Sequence, residues 1–374
     1  MKKILIDVYK IKDPFSGLGQ FSINYANEII SQKKRDFAID FLIPDENSLK
    51  LISPDAGSIV SSLNTGESTA ASDYISDVHY LHANLQKRYL PFLNRKYSIW
   101  HSLQQFPSHL PGKRGAWILT IHDLNFLIEK SQDKSDAYLL RLQRNVDNAD
   151  YITTISRYTK GLIESNLDLK GKEVRVIYNG IAPNNRLALK KPAFIGDMKF
   201  FFTIGVFNKK KNFHTLIPVM QHFRDYNLII AGNNDTVYGE EIRKEISKLG
   251  MENRIVLPGK ISEEEKYWLY NNCEAFLFPS LAEGFGMPVI EAMKAGKPVF
   301  MSDFTSLPEV GGEAAFYFRN FDHSDMAFKI KSGLDAVSNN QDHFQKLFQI
   351  NSQKFTWENC IKQYLELYSE ILSV

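Results

Sequence analysis

At 374 residues, 44% hydrophobic and 24% charged, the chain is sized for two or three ordinary soluble domains, each able to bury a core. A formal net charge of +2 argues against a protein built mainly to neutralise nucleic acid. Cys273 and Cys360 stand alone, without CxxC or metal-ligand spacing, which fits a reducing compartment and not a disulfide framework.

Met1-Lys-Lys is followed by five mostly apolar residues, Ile4 to Val8, too short for a signal peptide or a membrane span. They read as a first strand, after which Gly17-Leu-Gly19 opens a helix reaching about Ser31. Further strands are expected at Ala38–Ile43, Ser98–Leu103, Trp117–Ile121, Ile152–Ile155 and Val174–Tyr178. Ser53 to Ser76, rich in Ser, Gly, Thr and Asp, reads as a loop. A second alternation supplies strands at Phe201–Val206, Leu228–Ala231, Ile255–Pro258, Ala275–Phe278, Val299–Ser302 and Ala315–Phe318. Strands separated by helical patterns argue for an α/β chain with parallel sheets covered on both faces. Asn179-Gly180 is a turn signal and Pro183 to Pro192 a linker, which puts a boundary near residues 183–195. The end of the chain, from about Asn359 to Ser373, is an amphipathic helix.

The richest stretch runs from Ala275 to Met301. A buried strand leads into a loop in which Gly284 and Gly286 permit a tight turn. A helix from Val289 to about Ala295 follows, with Pro288 at its first position and Gly296 as its C-terminal cap. Glu291 is expected in the first turn of that helix, among apolar neighbours, where a carboxylate is costly unless something hydrogen-bonds it. Glu283 lies eight residues earlier, on the loop. Two carboxylates flanking a helix N-terminus suit a ligand carrying phosphate and hydroxyls, the amides taking the phosphate. The plainer alternative is that Glu291 offsets the helix dipole while Glu283 is a solvated loop residue.

Other positions carry similar pairs of readings. Gly17 and Gly19 stand where open α/β sheets bind ligands, yet such glycines often serve only a turn. His122, in Thr120-Ile-His-Asp123, ends a strand on the same edge, with His101 as its competitor; a lone histidine is more often structural. Lys209-Lys-Lys-Asn212 is either a solvated run or a phosphate contact after the first strand of the second half. Ser156 is an acceptor-side residue or a helix cap. Gln86 to Lys96 mixes basic and aromatic residues, as a membrane contact or as a solvated helix end.

Glu283-Gly-Phe-Gly-Met-Pro-Val-Ile-Glu291, preceded by Phe278-Pro-Ser280, resembles the E-x7-E signature of the retaining glycosyltransferases of family four. Ser306-Leu-Pro-Glu-Val310 followed by Gly312-Glu-Ala-Ala315 is similar to that family's continuation, and the nearest likeness is to bacterial polysaccharide or O-antigen mannosyltransferases. The resemblance implies the GT-B fold: two Rossmann-like doubly wound parallel-sheet domains facing a central cleft. It assigns residues 1–185 to the acceptor side, 186–355 to the nucleotide-sugar donor, and 356–374 to a helix packing back on the first domain. His122 and Glu283 become the catalytic candidates, at the transferred sugar. Gly17, Gly19, Lys210, Lys211 and the backbone of Phe285, Gly286 and Met287 face the diphosphate. Glu291 takes the ribose, Lys260 and Ile261 lie at the nucleotide, and Asp123 and Ser156 fall on the acceptor side. The family more often has Arg where Lys210 stands, so bidentate reach is lost there.

The chain contains no Asp-x-Asp and no His or Cys cluster at metal spacing, so transfer without a metal or other cofactor is expected. The expected partners are a nucleotide-diphosphate sugar, with GDP-mannose the first guess, and a glycan or lipid-linked acceptor, but no nucleic acid. The expected place is the cytoplasm, with peripheral contact at the inner face of the membrane as an extension. The rivals are a GT-B-like nucleotide-sugar 2-epimerase, needing no acceptor, and a non-catalytic nucleotide-sugar-binding protein.

Overall fold

The computed structural model describes residues 2–32, 36–52, 60–61, 78–82, 96–112, 115–181, 188–196 and 199–373. It divides into one unit of residues 1–180 with 357–374, and a second of residues 181–356. The candidate membrane contact, Gln86 to Lys96, lies outside the described residues apart from its last, as does most of the Ser53–Ser76 loop and the linker from 182 to 187.

The first unit holds a parallel sheet of eight strands: β1 (Lys3–Asp7), β2 (Ala38–Ile43), β3 (Val60–Ser61), β4 (Val78–His82), β5 (Ile99–Ser102), β6 (Ala116–Ile121), β7 (Tyr151–Thr154) and β8 (Val174–Val176). Their order is β3-β4-β2-β1-β5-β6-β7-β8, and Ile4 pairs with Ile39 on one side and Ile99 on the other. β3 and β4 are not among the expected strands; β3 falls inside the stretch that reads as a loop, whose Ser, Gly and Thr content hides a two-residue strand. β1 and β2 are buried almost throughout, as strands covered on both faces must be, which is why they read as apolar runs, broken in the middle of β2 only by the buried Asp40.

The helix Trp357–Ser373 belongs to this unit and closes its core. Its Trp357, Tyr364 and Tyr368 lie in one buried cluster with Phe21 and Tyr25 of the helix Gly17–Ser31. A buried polar chain fixes its register. Tyr368 Oη meets Tyr25 Oη at 2.6 Å and His101 Nδ1 at 2.5 Å. His101 Nε2 in turn meets Thr120 Oγ1 at 2.8 Å. His101, the competitor for the catalytic role, is therefore a core residue joined to three elements.

The second unit holds a parallel sheet of six strands: β9 (Lys199–Ile204), β10 (Tyr226–Ala231), β11 (Ile255–Gly259), β12 (Ala275–Phe278), β13 (Val299–Ser302) and β14 (Ala315–Phe318). Their order is β11-β10-β9-β12-β13-β14. Successive side chains of β9 fill opposite faces: Phe201 packs in the cluster with Phe213, Leu216 and Met220, and Phe202 meets Tyr270 edge-on at 5.1 Å. Each such buried aromatic contributes on the order of 2 kcal/mol. The chain runs outward from β9 to β11, then returns to β12 on the other side of β9. That reversal leaves a crevice at the carboxyl ends of β9 and β12, where open α/β sheets take ligands.

Candidate active site

Two loops meet at that crevice. After β9, Asn208 caps a short turn by accepting from Lys211 N–H at 3.3 Å, and Asn212, at φ +57°, ends it in the left-handed region. After β12, Leu281 N–H donates to the Lys210 carbonyl at 2.6 Å, tying the second loop to the first. The result brings Lys211 and Glu283 together: Lys211 Nζ lies 2.5 Å from Glu283 Oε1, with both side chains about one-eighth exposed (12% and 14%). Ser280, fully buried, donates to the same carboxylate oxygen at 2.7 Å. Lys211 Nζ also stands 5.0 Å over the Phe278 ring. Its stem lies on Gly205, where a Cβ would come within 3.0 Å of Lys211 Cε.

Hydroxyls fix the loop that carries Glu283. Glu283 N–H donates to Thr305 Oγ1 at 3.1 Å. Ser306 Oγ lies 3.0 Å from the Glu283 carbonyl and 3.1 Å from that of Phe285, and Ser302 donates to the Ser280 carbonyl. Thr305 reaches its position at φ +56°, a strained choice for a β-branched residue.

The helix beyond begins earlier than the sequence indicates, at Met287, and ends at Lys294. Gly286 is its N-cap, at φ +109°, and a Cβ there would meet Leu307 at 2.8 Å. With glycine at the cap, no side chain at that position hydrogen-bonds the first-turn amides. Gly296, at φ +72°, does close the helix: its own N–H donates to the Met293 carbonyl, and Lys297 N–H reaches that of Ala292.

The earlier start corrects two expectations. Pro288 is the second helical residue rather than the first, and Glu291 is the fifth, beyond the first turn, where the pull of the N-terminal dipole on an acid has faded. The hydrogen bonds that a buried carboxylate needs at Glu291 come from within the protein. Its Oε1 accepts from Lys266 Nζ at 3.1 Å and its Oε2 from Tyr270 Oη at 2.9 Å. Both donors come from the helix Glu263–Asn272, 25 and 21 residues away in sequence, so local reading could not find them. Lys266 also pairs with Glu263 at 2.8 Å. Burial works to discharge Lys266, but the Glu291 and Glu263 carboxylates outweigh it and hold the ammonium above its ordinary range.

The remaining expected positions are distributed over both units. Lys260 is exposed and Ile261 half-buried, just before Ser262, the capping-box residue of the helix that carries Lys266. In the first unit, Ser16 caps the helix that opens at Gly17 by accepting from Gly19 N–H at 3.0 Å. Gly17 faces open space, whereas a Cβ on Gly19 would strike the Asp13 carbonyl at 1.9 Å, so Gly19 answers to packing. His122 is buried, its Nε2 2.7 Å from the Leu103 carbonyl and its ring edge-on to Phe21 at 4.6 Å. Burial pushes it down to about 4 against the raising effect of the Leu103 carbonyl, so at neutral pH the ring is uncharged and Nε2 is the donor. Asp123 Oδ1 accepts from Asn125 N–H at 3.0 Å, in a local turn. Ser156 is a helix cap, accepting from Thr159 N–H at 3.1 Å.

The second unit thus offers an ammonium and a carboxylate in one crevice, a helix end without a side-chain cap beside them, and a second carboxylate further along that helix. Cation and amides suit phosphate oxygens, and carboxylates suit hydroxyls. Among the described residues no group of three or more His, Cys, Asp and Glu side chains is gathered as a metal ion requires. Sequence reading missed Lys266, Tyr270 and Thr305; for Ser280 the Ser-x-x-Glu spacing ahead of Gly284 was the available signal.

Residues 185–346 match the family model described as glycosyl transferases group 1, and residues 33–185 match that described as glycosyltransferase family 4. The O-antigen chain mannosyltransferase RfbU of Salmonella typhimurium is 27% identical over 217 residues, 57% of this chain and 60% of that protein's length. The O-antigen chain mannosyltransferase B of Escherichia coli is 25% identical over 283 residues, 70% of this chain and 72% of its own. Among solved structures, HepE of Anabaena in complex with UDP and glucose superposes with a TM-score of 0.72 at 18% identity, over 99% of this chain and 100% of that one.

Proposed function

The chain belongs to the family-four glycosyltransferases, a GT-B family, and we propose that it moves a hexose from a nucleotide-diphosphate sugar to a hydroxyl of a glycan or lipid-linked glycan. The observation that carries this reading is the Lys211–Glu283 pair at the reversal between β9 and β12, beside a helix end capped only by glycine. Lys211 binds the diphosphate, with Lys210 in support, and the amides around Phe285 to Met287 receive charge as it develops on the leaving group. Preorganised donors of that kind are worth about 3 kcal/mol each. Glu283 takes hydroxyls of the transferred sugar, and Glu291 takes those of the ribose. Lys260 and Ile261 lie toward the base. From the first unit, the neutral ring of His122 accepts from a hydroxyl of the sugar through Nδ1, Gly17 lines the donor, and Asp123 and Ser156 belong to the acceptor side.

The anomeric configuration is retained, by attack from the leaving-group face with a phosphate oxygen taking the acceptor proton. Lysines and amides do the work that a divalent metal does elsewhere. GDP-mannose is the first donor to test, because the O-antigen relatives bear the name mannosyltransferase. UDP-hexoses come next, because HepE was solved with UDP and glucose. The acceptor belongs to polysaccharide or lipopolysaccharide assembly, carried out at the inner face of the membrane. No helix among the described residues is long and apolar enough to cross a membrane, so contact there is peripheral in this reading.

A melting screen against nucleotide-sugars tests the donor, since a ligand bound only by the native state raises the midpoint. Glu283→Gln is then expected to lower transfer at least about 100-fold with its fold intact. No shift with any nucleotide, together with full activity of Glu283→Gln, overturns the reading.

A further inference from the structure

Glu291 has two carboxylate oxygens with about four acceptor positions between them, and the protein fills one on each. Lys266 occupies Oε1 and Tyr270 occupies Oε2, while the side chain remains 15% exposed. Among the described residues no other donor reaches either oxygen, so each keeps an acceptor position. We propose that Lys266 and Tyr270 are positioning residues that clamp Glu291 from behind, so that it presents two adjacent acceptors to a vicinal diol, as a nucleotide ribose carries. This rests on the assignment of Glu291 to the ribose.

Both clamps are themselves immobilised. Lys266 Nζ keeps a second anchor at Glu263 Oε2, 2.8 Å away, so it does not have to leave Glu291 to find a partner. Its helix is fixed at the start by the capping box of Ser262 and Glu265. The Tyr270 ring is fully buried against Phe202 at 5.1 Å and Phe276 at 5.3 Å. A carboxylate held by two such donors loses little freedom when a diol arrives, which raises affinity without a new contact. A donor that lost one hydroxyl of the diol leaves one of the prepared acceptors without its partner, so the clamp also sharpens discrimination.

Calorimetric titration of UDP, GDP and their 2′-deoxy counterparts against the wild type, Lys266→Met and Tyr270→Phe separates the possibilities. The wild type is expected to favour the ribose form about tenfold or more, as hydrogen bonds to a charged group provide. In each variant that ratio is expected to fall to about threefold or less, with affinity for the deoxy form nearly unchanged and the fold intact by melting. Tyr270→Phe keeps the ring packing, so it reads the hydroxyl alone if Lys266→Met proves unstable. A wild-type ratio preserved in both variants overturns the inference and leaves the donor reading standing. Nucleotide binding with no ribose preference in the wild type removes the role of Glu291 and the clamp together. Absence of all nucleotide binding overturns the donor reading itself.

Discussion

Asp7 ends β1 with its carboxyl buried; one oxygen accepts from Tyr9 N–H at 3.0 Å and the other has no hydrogen-bond partner among the described residues. Burial drives its pKa from 3.8 to about 7, overriding the opposing pulls of the Tyr9 amide and Lys10. A raised carboxyl pKa means that the native state holds a proton the unfolded chain has released. Its contribution is complete below pH 3.8 and lost as pH climbs to about 7. The buried histidines work the other way. Burial lowers His101 to about 3 and His122 to about 4, so both cost stability as pH falls below 6.5. Asp7→Asn keeps the shape and cannot ionise. It is expected to melt higher than the wild type at pH 8, by a few kcal/mol, since a tenfold change in proton affinity between the folded and unfolded chain is worth about 1.4 kcal/mol. The advantage is expected to shrink steadily toward pH 4. Calorimetric melts of both proteins from pH 4 to 8 check this, and a constant difference means that Asp7 is charged in the native state throughout.

At the scale of elements, β12 and β13 were legible because a strand buried on both faces must be an apolar run, and both fall where such runs indicate. Helix ends were less so. Met287 read as loop because Gly284 and Gly286 suggest a longer turn than the one Gly286 alone makes at φ +109°. The two acids of the signature were legible, but their protein partners were not, since Lys211 reaches Glu283 across 72 residues and Lys266 reaches Glu291 across 25. The loop after β13 was opaque for the same reason: nothing local says that Thr305 adopts a left-handed backbone to receive Glu283 N–H. Two substitutions separate the strain from the hydrogen bond. Thr305→Gly releases about 1–2 kcal/mol of backbone strain and forfeits a hydrogen bond of about 1, so its stability stays near that of the wild type. Thr305→Ala keeps the strain and loses the bond, and is expected to be about 1–2 kcal/mol less stable. Both free the Glu283 loop, so transfer slows in both while only one melts lower. Denaturant melts beside transfer rates measure the two effects, and full activity in Thr305→Gly means that the hydroxyl does not position Glu283.

For the whole molecule, the distribution of cores decides which pieces can stand alone. The first unit is discontinuous in sequence, because Trp357, Ile361, Tyr364, Leu367 and Tyr368 fill the same cluster as Ile4, Phe21, Tyr25 and Ile39. Removing the last helix strips that cluster of five large side chains, each worth roughly 2 kcal/mol, a loss equal to the whole stability of a typical domain. It also leaves His101 Nδ1 and Tyr25 without their Tyr368 partner. The second unit has no such dependence. Its sheet, its Phe201–Met220 cluster, the Lys211–Glu283 pair and the Glu291 clamp all lie within residues 181–356. A chain of residues 181–356 is therefore expected to fold cooperatively and to show a nucleotide-dependent melting shift comparable with that of the full protein. A chain of residues 1–180 is expected to lack a cooperative transition until a peptide of residues 357–374 is added. Melting curves of the two pieces with and without nucleotide and peptide decide the matter. A stable 1–180 piece contradicts the account of the core, and a 181–356 piece that folds but ignores every nucleotide bound by the full chain means that the second unit alone does not make the donor site.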